Sequence, residues 1–234
     1  MRIRNRKLLF ASAAAMLLCM LSAELIFHIN VFAEVQTQTF RPVVALVNFA
    51  DSETPFTEEN RGEFETIFNS TEAGTDEHNL QSYLRTLSRG KIDYQSQFVV
   101  ITLDRETSFY QNWNGSGLEN IFTDAVADDE LIEFVAQADA DANGDGMLDG
   151  LTFYVNAETA DPAKGAADAF WPHQSTNSVA HELGGYEVSR YMVVPRSIEG
   201  AEDSGFLQVI CHETLHMFGA DDLYHYANTV TGHE

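Results

Sequence analysis

Two histidines stand four residues apart, His212 and His216, with Glu213 between them, and the run continues through Gly219 to Asp221 and Asp222. The full pattern is H-E-x-x-H-x-x-G-x-x-D. Side chains at that spacing stack on one face of a helix, so both imidazoles can reach a single divalent ion. A structural zinc site closes all four positions with protein ligands, whereas two histidines and a carboxylate leave one position open for water. Zinc lowers the pKa of that water to about 7. Glu213 is then the residue to take the proton and later deliver it to a leaving amine. Gly219 suits a helix-ending turn of positive φ. Asp222 falls where a third ligand is needed, and spacing favours it over Asp221. An ordinary amphipathic helix with two polar-face histidines is the competing account, and it leaves the glycine and the carboxylate unexplained.

A second constellation runs from Asp139 to Asp149, with glycines at 144 and 146. It offers hard oxygen ligands at alternate positions, as a calcium loop does. Asp141, Asn143, Asp145 and Asp149 are the candidate calcium ligands, with the Met147 carbonyl as a further oxygen. Position twelve of an EF-hand loop would be Thr152 rather than glutamate, which argues against a true EF-hand. An Asx-rich turn leading into the strand at Leu151 explains the same residues, and both readings stay open. Cys211 reads as a small buried hydrophobe. Trp171-Pro172-His173 reads as a surface aromatic beside a solvated histidine, and His181-Glu182 as loop. His225 and His233 read as exposed. Tyr224 is a candidate oxyanion donor or a packing residue.

These side chains need a scaffold. Pro42 to Phe49 is a short, β-branched apolar run, read as a buried strand. Lys91 to Leu103, Leu151 to Val155 and Tyr186 to Val194 read as further strands. The last alternates as Tyr186, Val188, Arg190, Met192, Val194, as an edge strand with one buried face does. Helical spacing marks Thr57 to Phe68, Asn79 to Leu87, Leu118 to Ala138 with a break at Asp128-Asp129, and Gly205 to Phe218 with Ser204 as N-cap. Gln36 to Arg41 reads as an arm, Ser108 to Gly117 as a loop, and Thr159 to Val179 as an irregular connection. The interleaving predicts an α/β (α+β) fold, a twisted mixed sheet covered by helices.

Of 234 residues, 44% are hydrophobic and 11% aromatic, a globular composition. Arg2, Arg4, Arg6 and Lys7 precede an apolar run from Leu8 to Ala23, and Val31-Phe32-Ala33 reads as the cleavage site, with Ala23 as second choice and an uncleaved anchor as the competing account, so residues 1–33 read as a secretory signal. Residues 34–234 then form one domain with nine basic and 35 acidic side chains, a net of −26. Such a surface repels nucleic acid and anionic membranes. The expectation is a secreted, extracellular protein with no stable membrane association after cleavage. Oligomeric state is not legible. Only Cys211 remains after Ala33, so no intrachain disulfide can form.

Four stretches together resemble the secreted immune inhibitor A-type metallopeptidases of bacteria, relatives of the metzincins. They are Val43 to Asp51, Leu80 to Lys91, Asp141 to Asp149 with the following strand and Trp171-Pro172-His173, and His212 to Tyr224 ending in Asp222-Leu223-Tyr224. The resemblance implies a metzincin-like fold, His212, His216 and Asp222 as zinc ligands and Glu213 as catalytic base. It also implies that Tyr186–Val194 borders the cleft and pairs with extended substrate backbone. Such peptidases carry a methionine-containing turn after the third ligand, whereas twelve residues follow Asp222 here. The expectation is therefore a catalytic domain lacking its lower C-terminal part. The function expected is zinc endopeptidase action on protein or peptide substrates. The alternative is a catalytically inactive remnant that binds calcium or partner proteins, and a zinc amidase acting on cell-wall peptides ranks third.

Overall fold

The structure, a computed structural model, describes residues 36–70, 78–111, 117–159, 170, 172–198 and 203–222. Residues 1–33, read above as a secretory signal, and Trp171, Tyr224, His225 and His233 lie outside the described residues. In chain order the elements are β1 (Gln38–Phe40), β2 (Val43–Asn48), α1 (Arg61–Phe68), α2 (Leu80–Leu87), β3 (Ile92–Tyr94), β4 (Gln97–Thr102), α3 (Thr107–Tyr110), α4 (Gly117–Ala125), α5 (Asp129–Gln137), β5 (Leu151–Thr159), β6 (His173–Leu183), β7 (Tyr186–Ile198) and α6 (Asp203–Met217).

Five strands pair in the order β4-β2-β5-β7-β6. The first four are parallel neighbours, and β6 joins β7 antiparallel. All six residues of β2 are buried because helices cover both faces of the sheet. Val43, Ala45 and Val47 pack with Tyr110, Phe122, Leu131 and Val135 of α3, α4 and α5. Val44 and Leu46 pack on the opposite side with Phe64, Phe68, Leu80, Leu84 and Ile210 of α1, α2 and α6. Each such fully buried aliphatic or phenyl side chain contributes about 1.5–3 kcal/mol of transfer free energy. The result is a mixed α/β fold of three layers, with α6 held on one face.

Local chemistry explains several boundaries. Asn79 and Ser82 form a reciprocal capping box at the start of α2. Asp128 separates α4 from α5, and its side chain accepts from the N–H of Leu131 to begin the second helix. Among the described residues, no helix is long and apolar enough to cross a membrane.

Several elements differ from the sequence reading. The arm at Gln36–Arg41 contains β1, which pairs in parallel with β3 as a separate two-stranded sheet. The run Lys91–Leu103 is two strands, β3 and β4, split at Gln95 and Ser96. Residues 107–110, read partly as loop, form the short α3, and the Tyr110 hydroxyl donates to Asp124 Oδ2 (2.8 Å). Ser204 is not the N-cap of α6, because the helix already includes Asp203. The connection Thr159–Val179 contains most of β6, and His181-Glu182 belongs to that strand rather than to a loop. Consequently β7 is interior rather than an edge strand, since Met192 and Val193 pair with β5 on one side and β6 on the other. Tyr191 and Val193, the residues skipped by the even-numbered alternation, are as buried as Met192 and Val194. The two glycines 184 and 185, both at positive φ, make the tight turn joining β6 to β7.

Candidate metal centre

The last turns of α6 carry His212, Glu213 and His216. The helix is anchored by Ile210 and Cys211, which sit in the core against the β2, β5 and β7 face. Thr214 is fully buried and donates from Oγ1 to the Ile210 carbonyl oxygen (2.7 Å). Burial pushes the Cys211 thiol up to about 12, so it is inert and fills space.

The helix ends at Gly219, whose φ is 86°. The N–H of Ala220 donates to the Leu215 carbonyl (3.1 Å) and that of Gly219 to the His216 carbonyl (2.9 Å). Those two bonds are a Schellman motif, which needs a left-handed residue at the glycine position. Phe218 secures the turn by packing edge-on against Phe40 of β1 (ring centroids 5.0 Å apart). The reversed chain carries Asp222 back across the histidine face.

There the three side chains meet. His212 Nε2 and His216 Nε2 are 3.1 Å apart. Asp222 Oδ1 lies 3.3 Å from the first and 3.2 Å from the second. Edges of that length belong to a tetrahedron whose centre is about 2.0 Å from each corner, the length of a zinc–nitrogen or zinc–oxygen bond. Among the described residues this is the one group of three or more His, Cys, Asp or Glu side chains whose ligand atoms converge in this way. His216 Nδ1 is 2.6 Å from the Ala220 carbonyl oxygen. A neutral ring donating there presents the lone pair of Nε2 to the cluster. The donor set and spacing therefore fit a zinc ion.

Glu213 is buried at 6% exposure. Burial pushes its carboxyl above the usual range, while His212, His216 and the backbone N–H of Gln174 in β6 pull it down. An open depression of about 400 Å³ adjoins the cluster, lined by Gln174, Thr176, Arg190, His216, Asp221 and Asp222 among others. A larger hollow of about 650 Å³ beside Asp104, Asp124 and Glu130 lies elsewhere and, among the described residues, has no converging ligand set.

The loop 139–149 is organised differently. Asp141 Oδ1 accepts from the N–H groups of Gly144 (2.8 Å) and Asp145 (3.1 Å), and Oδ2 from that of Gly146 (2.8 Å). Asn143 Oδ1 accepts from the N–H of Asp145, and Asp145 Oδ1 from that of Met147, each at 2.9 Å. Asp149 Oδ2 accepts from the N–H of Arg41 (2.7 Å) and of Ala142 (3.1 Å). The four candidate calcium ligands thus hold backbone N–H groups.

Gln174, Thr176, Arg190 and the Ala220 carbonyl were not singled out from sequence. Gln174 and Thr176 lie in a polar stretch without alternation, and Arg190 stood only as one step of a strand pattern. The strand expected to present an edge to substrate, Tyr186–Val194, has both edges occupied; among the described strands β6 is the terminal one, and its Gln174 N–H meets Glu213. No protein-family model matches the chain, and no curated protein matches it.

Proposed function

We propose that the protein is a zinc-dependent hydrolase of peptide bonds. The observation that carries this reading is the meeting of His212 Nε2, His216 Nε2 and Asp222 Oδ1 at mutual distances of 3.1–3.3 Å. These three residues would hold zinc, which when bound would supply Lewis acidity to a carbonyl and lower the pKa of water to about 7. The Ala220 carbonyl holds the His216 ring in the tautomer and orientation that ligation requires. Glu213, its carboxyl raised by burial, takes a proton at one carboxylate oxygen and returns it to the departing amine. The N–H of Gln174 keeps that carboxylate oriented. An extended peptide would lie along β6, the terminal strand of the sheet among the described residues, a role that passes to β6 from the strand first expected to serve it. The sheet, the helix with its two histidines and the carboxylate after a glycine turn all support the metzincin-like reading. Export by the segment 1–33 and a structural calcium at Asp141, Asn143, Asp145 and Asp149 remain part of the same proposal.

The test is hydrolysis of casein by the purified chain, with and without a chelator. Hydrolysis is expected to stop on chelation and return with zinc. Glu213→Ala is expected to lower turnover by about 10²–10⁴-fold with zinc retained. A zinc-loaded protein that cleaves no protein or peptide would overturn the proposal.

A further inference from the structure

Arg190 of β7 lies opposite Thr176 of β6 and lines the depression that runs past His216 and Asp222. Its Nη1 donates to the carbonyl oxygen of Met217, the last residue of α6 (3.3 Å). Among the described residues it makes no ion pair, although Asp221 shares the lining. A guanidinium carries five donors in a planar fork that matches a carboxylate, and the bond to Met217 uses only one of them. Arg190 is exposed, its guanidinium is tethered to the helix by that bond, and a cation is favoured at a helix C-terminus.

The charge around it is out of keeping with this residue. The chain carries 36 acidic and 13 basic side chains, a net of −23. That field repels an approaching carboxylate unless a fixed cation receives it. Arg190 is the cation in the lining of this depression. We infer that Arg190 is a specificity-determining residue that receives a carboxylate of the peptide substrate, either an acidic side chain or the free C-terminus. The inference rests on the peptide-hydrolase reading for its substrate class. A plain helix-capping role would affect stability and leave discrimination between peptides unchanged.

The experiment uses the full chain and blocked peptides carrying Glu at successive positions, each paired with its Gln isostere, plus free-acid and amidated forms of one peptide. Binding to the zinc-free protein is measured by calorimetry, and kcat/KM is measured on the zinc-loaded protein. One pair is expected to bind about tenfold tighter as the carboxylate, the scale of a charge-assisted hydrogen bond. If the discrimination lies in a Glu/Gln pair, the occupant is a side chain; if it lies in the acid/amide pair, the occupant is the C-terminus. Arg190→Gln is expected to abolish the difference, and Arg190→Lys, which keeps a donor for Met217, to restore part of it. Equal binding of every pair by the native chain, or discrimination that survives Arg190→Gln, overturns the inference. Carboxylate preference in binding without cleavage keeps the inference and removes the hydrolase reading. Cleavage without carboxylate preference does the reverse.

Discussion

In the loop 139–149, Asp141 accepts hydrogen bonds from three backbone N–H groups. At the end of α6, Asp222 Oδ1 faces two imidazole nitrogens instead. Both regions are short and rich in metal-binding residue types, and both turn on glycines at positive φ. In the loop, Asp141, Asn143, Asp145 and Asp149 accept from backbone N–H groups, which shape the turn and leave each oxygen further lone pairs. Around Asp222, three ligand atoms approach one another, and His216 Nδ1 lies against the Ala220 carbonyl oxygen. What distinguishes the two regions is that the ligand atoms of His212, His216 and Asp222 converge on one point.

The comparison can be broken by exchanging the injuries. His216→Ala is expected to lower zinc affinity by about 100-fold or more, since even loss of an outer-shell partner costs 10–100-fold. Asp141→Ala is expected to leave zinc affinity unchanged while removing about 0.5–1.5 kcal/mol of folding stability, because three exposed turn N–H groups exchange their acceptor for water. Metal-competition titration and urea denaturation of both variants decide the matter; a zinc defect in Asp141→Ala would erase the distinction. A smaller effect is expected of Gly219→Ala. A side chain at φ 86° costs about 1 kcal/mol or somewhat more. The distortion also displaces Asp222, so zinc affinity should fall together with melting temperature. A variant that loses stability with unchanged zinc affinity would uncouple the turn from the cluster.

The smallest effect concerns Asp149. Burial raises its carboxyl above the ordinary value, with Asp141 and Asp145 adding to this and the N–H groups of Ala142 and Arg41 opposing it. The folded state therefore binds this proton more tightly than the unfolded state. Stability from this group is present below the unfolded pKa and falls as pH rises through the folded one. In calcium-free buffer, Asp149→Asn should gain on the native chain as pH rises from about 4 through that window. A difference that shrinks with pH would contradict the assignment. Calcium, if the loop binds it, should cancel the repulsion and raise the melting temperature.

Local signals made part of this legible beforehand. The β-branched run at Val43–Asn48, the helical spacing of α2 and the break at Asp128 each depend on neighbouring residues alone. The four-residue histidine spacing and the glycine turn likewise anticipated which three side chains meet. Strand β6 was hidden because His173 to Asn177 is polar and owes its conformation to pairing with β7. That omission also made β7 look like an edge. Short β1 and β3 have too few residues for a pattern and exist through each other. Gln174 and Arg190 reach the site through sheet register, which no local spacing encodes.

The most direct test of the central claim is X-ray absorption at the zinc edge of the reconstituted full chain, together with elemental analysis. The account predicts one zinc per chain with nitrogen and oxygen neighbours at about 2.0 Å and the scattering signature of two imidazoles, lost in His212→Ala and His216→Ala. Folded protein that takes up no zinc, or a zinc whose shell is unaltered in both variants, would contradict it.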